Sequence, residues 1–319
     1  MKKFTLKIKD LSSIVVYTDI DSISNKLMYN EESLTKTIPA TVTYDGEVDD
    51  ILDRENYISI LSFDKKMIDV NKDENVAHLF SPKDQFFFPD LVYLALGMFA
   101  NDLQRDGYHF VQSSVVKYDD NNSIMLIGDP NAGKTTLAFS LMKNNKYKLI
   151  SNDNVLVKVD EGKLKTYCGT KKVQMRYGGI KLYFPELLPH VSIPEEDKGR
   201  DDWDIKLYID DYLQENGYQY ADESVVTDIY NISTFKAGDS FIRGRENIDE
   251  ILLIYEHLTK QIRSNRYALT GFNFPLPSFE DGKYTKKRYR DATVICDNTN
   301  VYDARGTIDD LSKKLVKKK

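Results

Sequence analysis

Cysteine is scarce in this chain: Cys168 and Cys296 are the only two in 319 residues, and neither has a CxxC partner. That excludes a disulfide framework and a cysteine-based zinc site, and a reducing cytoplasm is the natural reading. No apolar run approaches the roughly 20 residues of a membrane span, so no membrane partner is expected. Lys2 and Lys3 open the chain without an apolar stretch behind them, so no signal peptide is expected. Positive charge is not in excess either: a formal net charge of −6 argues against general nucleic-acid binding. An N-K-x-D guanine motif, internal repeats and low-complexity linkers are all missing. What remains is the composition of an ordinary globular protein, long enough for one large domain and a smaller one.

Against that background one stretch stands out. Residues 123–127 (SIMLI) form a short apolar run of strand type. Gly128-Asp129-Pro130-Asn131-Ala132-Gly133-Lys134-Thr135 then fits G-x-x-x-x-G-K-[ST], and residues from Thr136 to Asn145 continue with Leu137, Ala138, Leu141 and Met142 at helical spacing. Strand, glycine loop and helix in that order are the context a P-loop requires. The glycines let successive N–H groups face one concavity, a nest for phosphate oxygens, and the helix N-terminus adds its positive dipole end. The loop residues Gly128 to Thr136 are therefore the expected nucleotide-binding set, with Lys134 reaching the β- and γ-phosphates and the Thr135 hydroxyl on Mg²⁺.

Around this loop the pattern is legible in pieces. Residues 1–85 read as a β-rich region: Phe4, Leu6 and Ile8 alternate, 13–17 is β-branched, and 57–63 and 67–70 read as strands paired around Asp64-Lys65-Lys66. Residues 90–105 form an apolar helix stopped by Gly107 and expected against the nucleotide-binding domain, which takes residues 86–319. Further strands are expected at 109–118, 148–150, 155–159, 225–235 and 293–296, and helices at 210–217, 248–266 and 308–316. Residues 185–204 read as a long loop, lid-like, with Trp203 as a packing anchor. Lysines 313–319 read as a solvated tail.

Asp153, in Ser151-Asn152-Asp153-Asn154, lies at the end of the strand after the P-loop helix, where a carboxylate can help hold Mg²⁺ or accept a proton; the alternative is a turn residue. Lys171, Lys172 and Arg176 follow closely. Arg176 is a candidate for stabilising charge on a transferring phosphoryl group, and a solvated basic face is the alternative for any of the three.

Three pieces together resemble the kinase domain of the HPr kinase/phosphorylase family. The loop from Gly128 to Thr135 looks like that family's GDSGxGKS. Residues 149–155 (LISNDNV) fall where the family has L-V-A-D-D-x-V, and 111–116 (VQSSVV) where it has H-A-S-x-V. The resemblance covers about residues 107–180 and implies an α/β fold: a P-loop domain of the HPr kinase/phosphoenolpyruvate carboxykinase type with a mixed sheet, behind a β-rich N-terminal region. The chain departs from the pattern at Asn152, where the family has the first of two aspartates, and at Gln112, where it has a histidine; the C-terminal signature has only a faint echo at 241–245. The resemblance therefore implies a divergent kinase with another substrate, of the kind that modifies hydroxyls on small ribosomal peptides such as lasso-peptide precursors. Relatives are often oligomeric, so a homo-oligomer is an open expectation.

The function expected is ATP- and Mg²⁺-dependent transfer of a phosphoryl group to a Ser or Thr hydroxyl of a peptide or small protein. Lys134 and Asp153 are the catalytic candidates, Thr135 and Asp153 the metal ligands, and either Asp153 or the distant Asp204 the base. A small-molecule hydroxyl as acceptor and a regulatory module that binds ATP without transferring it stay open beside it.

Overall fold

A computed structural model of the protein describes residues 1–143, 147–245, 248–264 and 268–317. Asn145 at the expected end of the P-loop helix, Arg266, and Lys318 and Lys319 of the lysine tail lie outside the described residues. The chain divides into two compact units. One comprises residues 1–111, 156–159 and 252–293, the other 112–155, 160–251 and 294–319.

Strict alternation in β1 (Lys2–Ile8) buries Phe4, Leu6 and Ile8 on one face, and β2 (Ser12–Thr18) pairs antiparallel with it from Lys2↔Thr18 to Ile8↔Ser12. Two short helices follow, α1 (Asp21–Met28) and α2 (Glu32–Thr37), then β3 (Thr41–Glu47) on the outer edge of β1. The remaining strands β4 (Tyr57–Ser62), β5 (Met67–Asn71) and β6 (Val76–Ser81) complete a six-stranded sheet of order β3-β1-β2-β4-β6-β5. The expected pairing of 57–63 with 67–70 is not made. β6 inserts between them, parallel to β4 and antiparallel to β5. The burial explains the choice: Ile58, Ser59 and Ile60 are all enclosed, as a central strand requires, whereas β5 alternates exposed and half-buried residues as an edge strand does.

α3 (Phe88–Leu103) is buried almost all round and packs against α2 and β2 inside this first unit. Each of its buried leucines contributes about 1.5–3 kcal/mol through area removed from water. The run expected as one strand over 109–118 is two, β7 (Tyr108–Gln112) and β8 (Ser114–Lys117), broken at Ser113.

The second unit is built on β8, β9 (Asn122–Ile127), α4 (Lys134–Met142) and β10 (Lys148–Ser151). Then come β11 (Asn154–Asp160), β12 (Lys163–Gly169), β13 (Gln174–Arg176), α5 (Tyr177–Tyr183), β14 (Lys206–Tyr208) and α6 (Asp210–Glu215). The stretch 184–205 has only short 3-10 turns, in keeping with the expected loop. The long β15 (Ser224–Thr234) and β16 (Phe241–Gly244) lead to α7 (Ile248–Arg263), which from Leu252 onward belongs to the first unit, as does the two-stranded pair β17 (Ala268–Leu269) with β18 (Phe274–Pro275). α8 (Gly282–Asn298), which belongs to the first unit up to Thr293, is followed by β19 (Asn300–Gly306) and α9 (Ile308–Lys317), which end the described chain. The strand expected at 293–296 is part of α8; the last strand is β19. In this unit β10-β8-β9-β15 are neighbours, β12 pairs the start of β15, and β19 pairs the rest of it in parallel. The sheet is mixed: β8 is antiparallel to β9, and β15 is parallel to it. Leu137, Phe139 and Leu141 of α4 and Leu311 and Leu315 of α9 share one core with Ile124 and Leu126 beneath them. Among the described residues, no helix is long and apolar enough to cross a membrane.

Candidate phosphate-binding site

β9 delivers the chain to the loop. Its last residue, Ile127, is paired with Asn231 of β15, so the end of β15 runs directly beneath the glycines. Gly128 and Gly133 take φ values of +140° and +93°, and Asn131 between them takes +66°. A side chain at Gly133 would meet the Thr234 side chain at 2.4 Å, and one at Gly128 the carbonyl of Ile232 at 2.7 Å. Only glycine satisfies both the backbone and the space. The loop is closed by Ala132 N donating to Asp129 O (3.1 Å) and tied to the sheet by Thr234 N donating to Ala132 O (3.1 Å). Gly133 caps α4, whose first residue is Lys134. Lys134 is only 9% exposed, and its side chain folds back across the loop, where Nζ donates to the carbonyls of Gly128 and Asp129, each at 2.9 Å. Asp129, Pro130 and Asn131 at the tip are exposed, and Thr135 and Thr136 are half-buried at the start of α4.

Register brings Asp153 to the same end of the sheet. The start of β8 lies opposite the end of β9 (Ser114↔Leu126), and the end of β10 lies opposite the start of β8 (Ser151↔Val115). The turn 152–153 thus follows β10 at the edge where β9 passes into the P-loop. Three contacts lock it: Ser113 N donates to Asp153 O (2.7 Å), Ser114 Oγ to Asn152 O (2.8 Å), and the Asp153 N–H to Thr170 Oγ1 (3.2 Å). The carboxylate itself accepts from Gln112 Nε2 at 3.2 Å and from Asn154 Nδ2 at 3.3 Å. The two positions that the family resemblance aligned, Gln112 and Asp153, are therefore in contact. The side chain of Asn152 turns away from this carboxylate, and its amide donates to the carbonyl of Lys172 at 3.1 Å. His109 lies in the other unit, hydrogen-bonded to Asp291.

The three cations after Asp153 separate. Lys171 pairs with Asp222, and Lys172 lies 3.9 Å from Asp210. Arg176 instead reaches the P-loop tip: Nη2 donates to Asn131 Oδ1 at 2.9 Å and Nη1 to the carbonyl of Trp203. Asp204 stands 3.9 Å from the same guanidinium. Thr170 and Thr234, which hold the two halves of the site, carry no motif; they are found through strand pairing alone, many residues from what they support.

The donor chemistry suits a magnesium nucleotide. A hydroxyl and one carboxylate, completed by phosphate oxygens and water, are what Mg²⁺ ordinarily takes. Two single amide hydrogen bonds leave lone pairs on the Asp153 carboxylate for a metal.

No protein-family model matches the chain, and no curated protein matches it in sequence. Among solved structures it is similar to the HPr(Ser) kinase/phosphatase from Coxiella burnetii, with 11% identity, over 65% of this chain and 90% of that one, at a TM-score of 0.28. The likeness is a loose one of shape.

Proposed function

We propose that this chain is an ATP-dependent phosphotransferase that passes the γ-phosphoryl group to a Ser or Thr hydroxyl of a peptide or small protein. The observation that carries the reading is the closed P-loop with Lys134 folded across it and Asp153 held at the same sheet edge. Lys134 neutralises the β- and γ-phosphates, the N–H groups of the loop cradle them, and Thr135 and Asp153 hold Mg²⁺. When bound, the metal neutralises charge that develops on the phosphate oxygens. Gln112 and Asn154 keep the Asp153 carboxylate in one orientation. The exposed tip at Asp129, Pro130 and Asn131 favours an acceptor presented on a polypeptide over one enclosed in a pocket.

A second reading, nucleotide binding without transfer, draws support from Asn152, which leaves Asp153 as the only carboxylate of the turn at the end of β10. Base assistance supplies about 10²–10⁴-fold, so a single carboxylate still permits transfer driven by positioning and charge. ATP titration calorimetry with Mg²⁺, alongside mass spectrometry of phosphate transfer to peptides and to a metabolite panel, separates the two. Transfer to a peptide that falls by about two to three orders of magnitude in Lys134→Ala, and is lost in Asp153→Asn, is the expected outcome. Tight ATP binding with no transfer to any acceptor would leave the binding module.

A further inference from the structure

Arg176 joins three segments of the second unit at one guanidinium. It ends β13, so its backbone is fixed by pairing with Lys206 of β14, and its side chain crosses to the P-loop tip. There it bonds Asn131, the residue of the loop held in the left-handed region at φ +66°. Its other terminal nitrogen donates to the carbonyl of Trp203 in the 201–205 turn. That turn is clipped to the start of α5, with Gly178 N donating to Asp202 O (2.8 Å) and Tyr177 N to Ile205 O (2.9 Å). The indole of Trp203 lies against Gly178, and Lys236 Nζ sits 5.2 Å from a ring centroid of Trp203.

A pin between loop and turn needs no charge, yet this one is a guanidinium. Lys171, a few residues earlier, is closely paired with the Asp222 carboxylate, and Lys172 lies as far from Asp210 as Arg176 does from Asp204, 3.9 Å. The two hydrogen bonds of Arg176 go to neutral oxygens, an amide and a peptide carbonyl, while Asp204 lies 3.9 Å away with its side chain 66% exposed. A guanidinium has five donors in a fork that matches phosphate oxygens, and two are engaged here. We propose that Arg176 is the second cation of this site, donating to the terminal phosphate of the bound nucleoside triphosphate, with the Trp203 turn as the support that aims it. The role rests on the phosphotransferase reading above.

Calorimetric titration of the full chain with ATP and with ADP, both with Mg²⁺, tests it. Arg176→Ala is expected to weaken ATP about ten- to a hundredfold while leaving ADP nearly unchanged, because a charge-assisted hydrogen bond to the terminal phosphate is lost. Arg176→Lys, which keeps the charge without the fork, should recover part of the ATP affinity. The emission of Trp203, the only tryptophan, reports whether the turn stays in place in each variant. Equal weakening of ATP and ADP, or no weakening of either, overturns the assignment and leaves a structural pin. Failure of the wild type to bind either nucleotide would instead overturn the phosphotransferase reading, and this role with it.

Discussion

Two side-chain clusters, one in each unit, handle charge in opposite ways. In the first, polar side chains bond one another in an unbroken series. Asn75 bonds Asn56, Asn101 bonds Asn75, Gln104 bonds Asn101, and Arg288 bonds Gln104 and Glu280. Glu280 is also gripped by Arg263 through two bonds of 2.6 and 3.2 Å, and Arg263 donates to Tyr255. Arg288 is 1% exposed, and charge meets charge inside the unit. In the second unit, the hydrogen bonds of the side chains at the loop edge go to neutral groups: those of Lys134 to two carbonyls, those of Asp153 to two amides, and those of Arg176 to an amide and a carbonyl, with Asp204 3.9 Å from its guanidinium. Cancelled charges stabilise only if every partner stays. Charges held by neutral dipoles keep their field for a ligand. The first pattern suits a scaffold, the second the proposed phosphate site.

The largest expected effect tests the scaffold side. Glu280→Gln leaves Arg263 and the enclosed Arg288 without their carboxylate and should cost about 3–5 kcal/mol in denaturant unfolding, with ATP affinity unchanged. Arg288→Met, which removes the charge and leaves Glu280 with Arg263, should cost far less. A similar cost for both would break the comparison. Gly133→Ala is next. At φ +93° and against Thr234, it should cost about 1–3 kcal/mol of strain and weaken ATP binding in calorimetry, because the nest itself is deformed.

The smallest effect is a pH slope. Burial pushes the pKa of His109 below its ordinary 6.5, outweighing the neighbouring Asp291 carboxylate. The native state therefore keeps His109 neutral while the unfolded chain takes up a proton. Stability from this group is complete above pH 6.5 and declines as pH falls from there towards the depressed native value, by at most about 1.4 kcal/mol per pH unit. His109→Asn should flatten that decline in unfolding measured between pH 7 and 5, a window taken from the roughly 6.5 of an unperturbed histidine. An unchanged slope would mean that His109 takes up its proton alike in the native and unfolded states, and that its burial has no effect on stability against pH.

Local pattern sufficed where period and punctuation agreed. The P-loop strand, its glycines and α4 lie where SIMLI, the two glycines and the helical spacing put them, and β15 and α9 match within a residue. It misled at residues 293–296, where the β-branched TVIC reads as a strand. That stretch is the last turn of a helix whose other residues are mostly charged, and its buried positions Arg288, Ala292 and Ile295 follow helical spacing. A short apolar run carries no period of its own, and a buried arginine hides the stripe. The pairing of β4 with β6 rather than β5 was equally out of reach, because neighbours in a sheet are chosen by which strand can be enclosed on both sides.

What the sequence determined by itself is the glycine loop between β9 and α4. Two glycines, a lysine and a threonine at fixed spacing between a strand and a helix form their concavity from local backbone geometry, whatever surrounds them. What only the tertiary structure decided is which distant groups meet it. Strand register brings Asp153 to the loop's edge of the sheet and puts Gln112 on its carboxylate, and the β13–β14 pairing carries Arg176 to Asn131. Those contacts span up to 45 residues of chain, and no local preference encodes a register; it follows from burying one face of every strand at once.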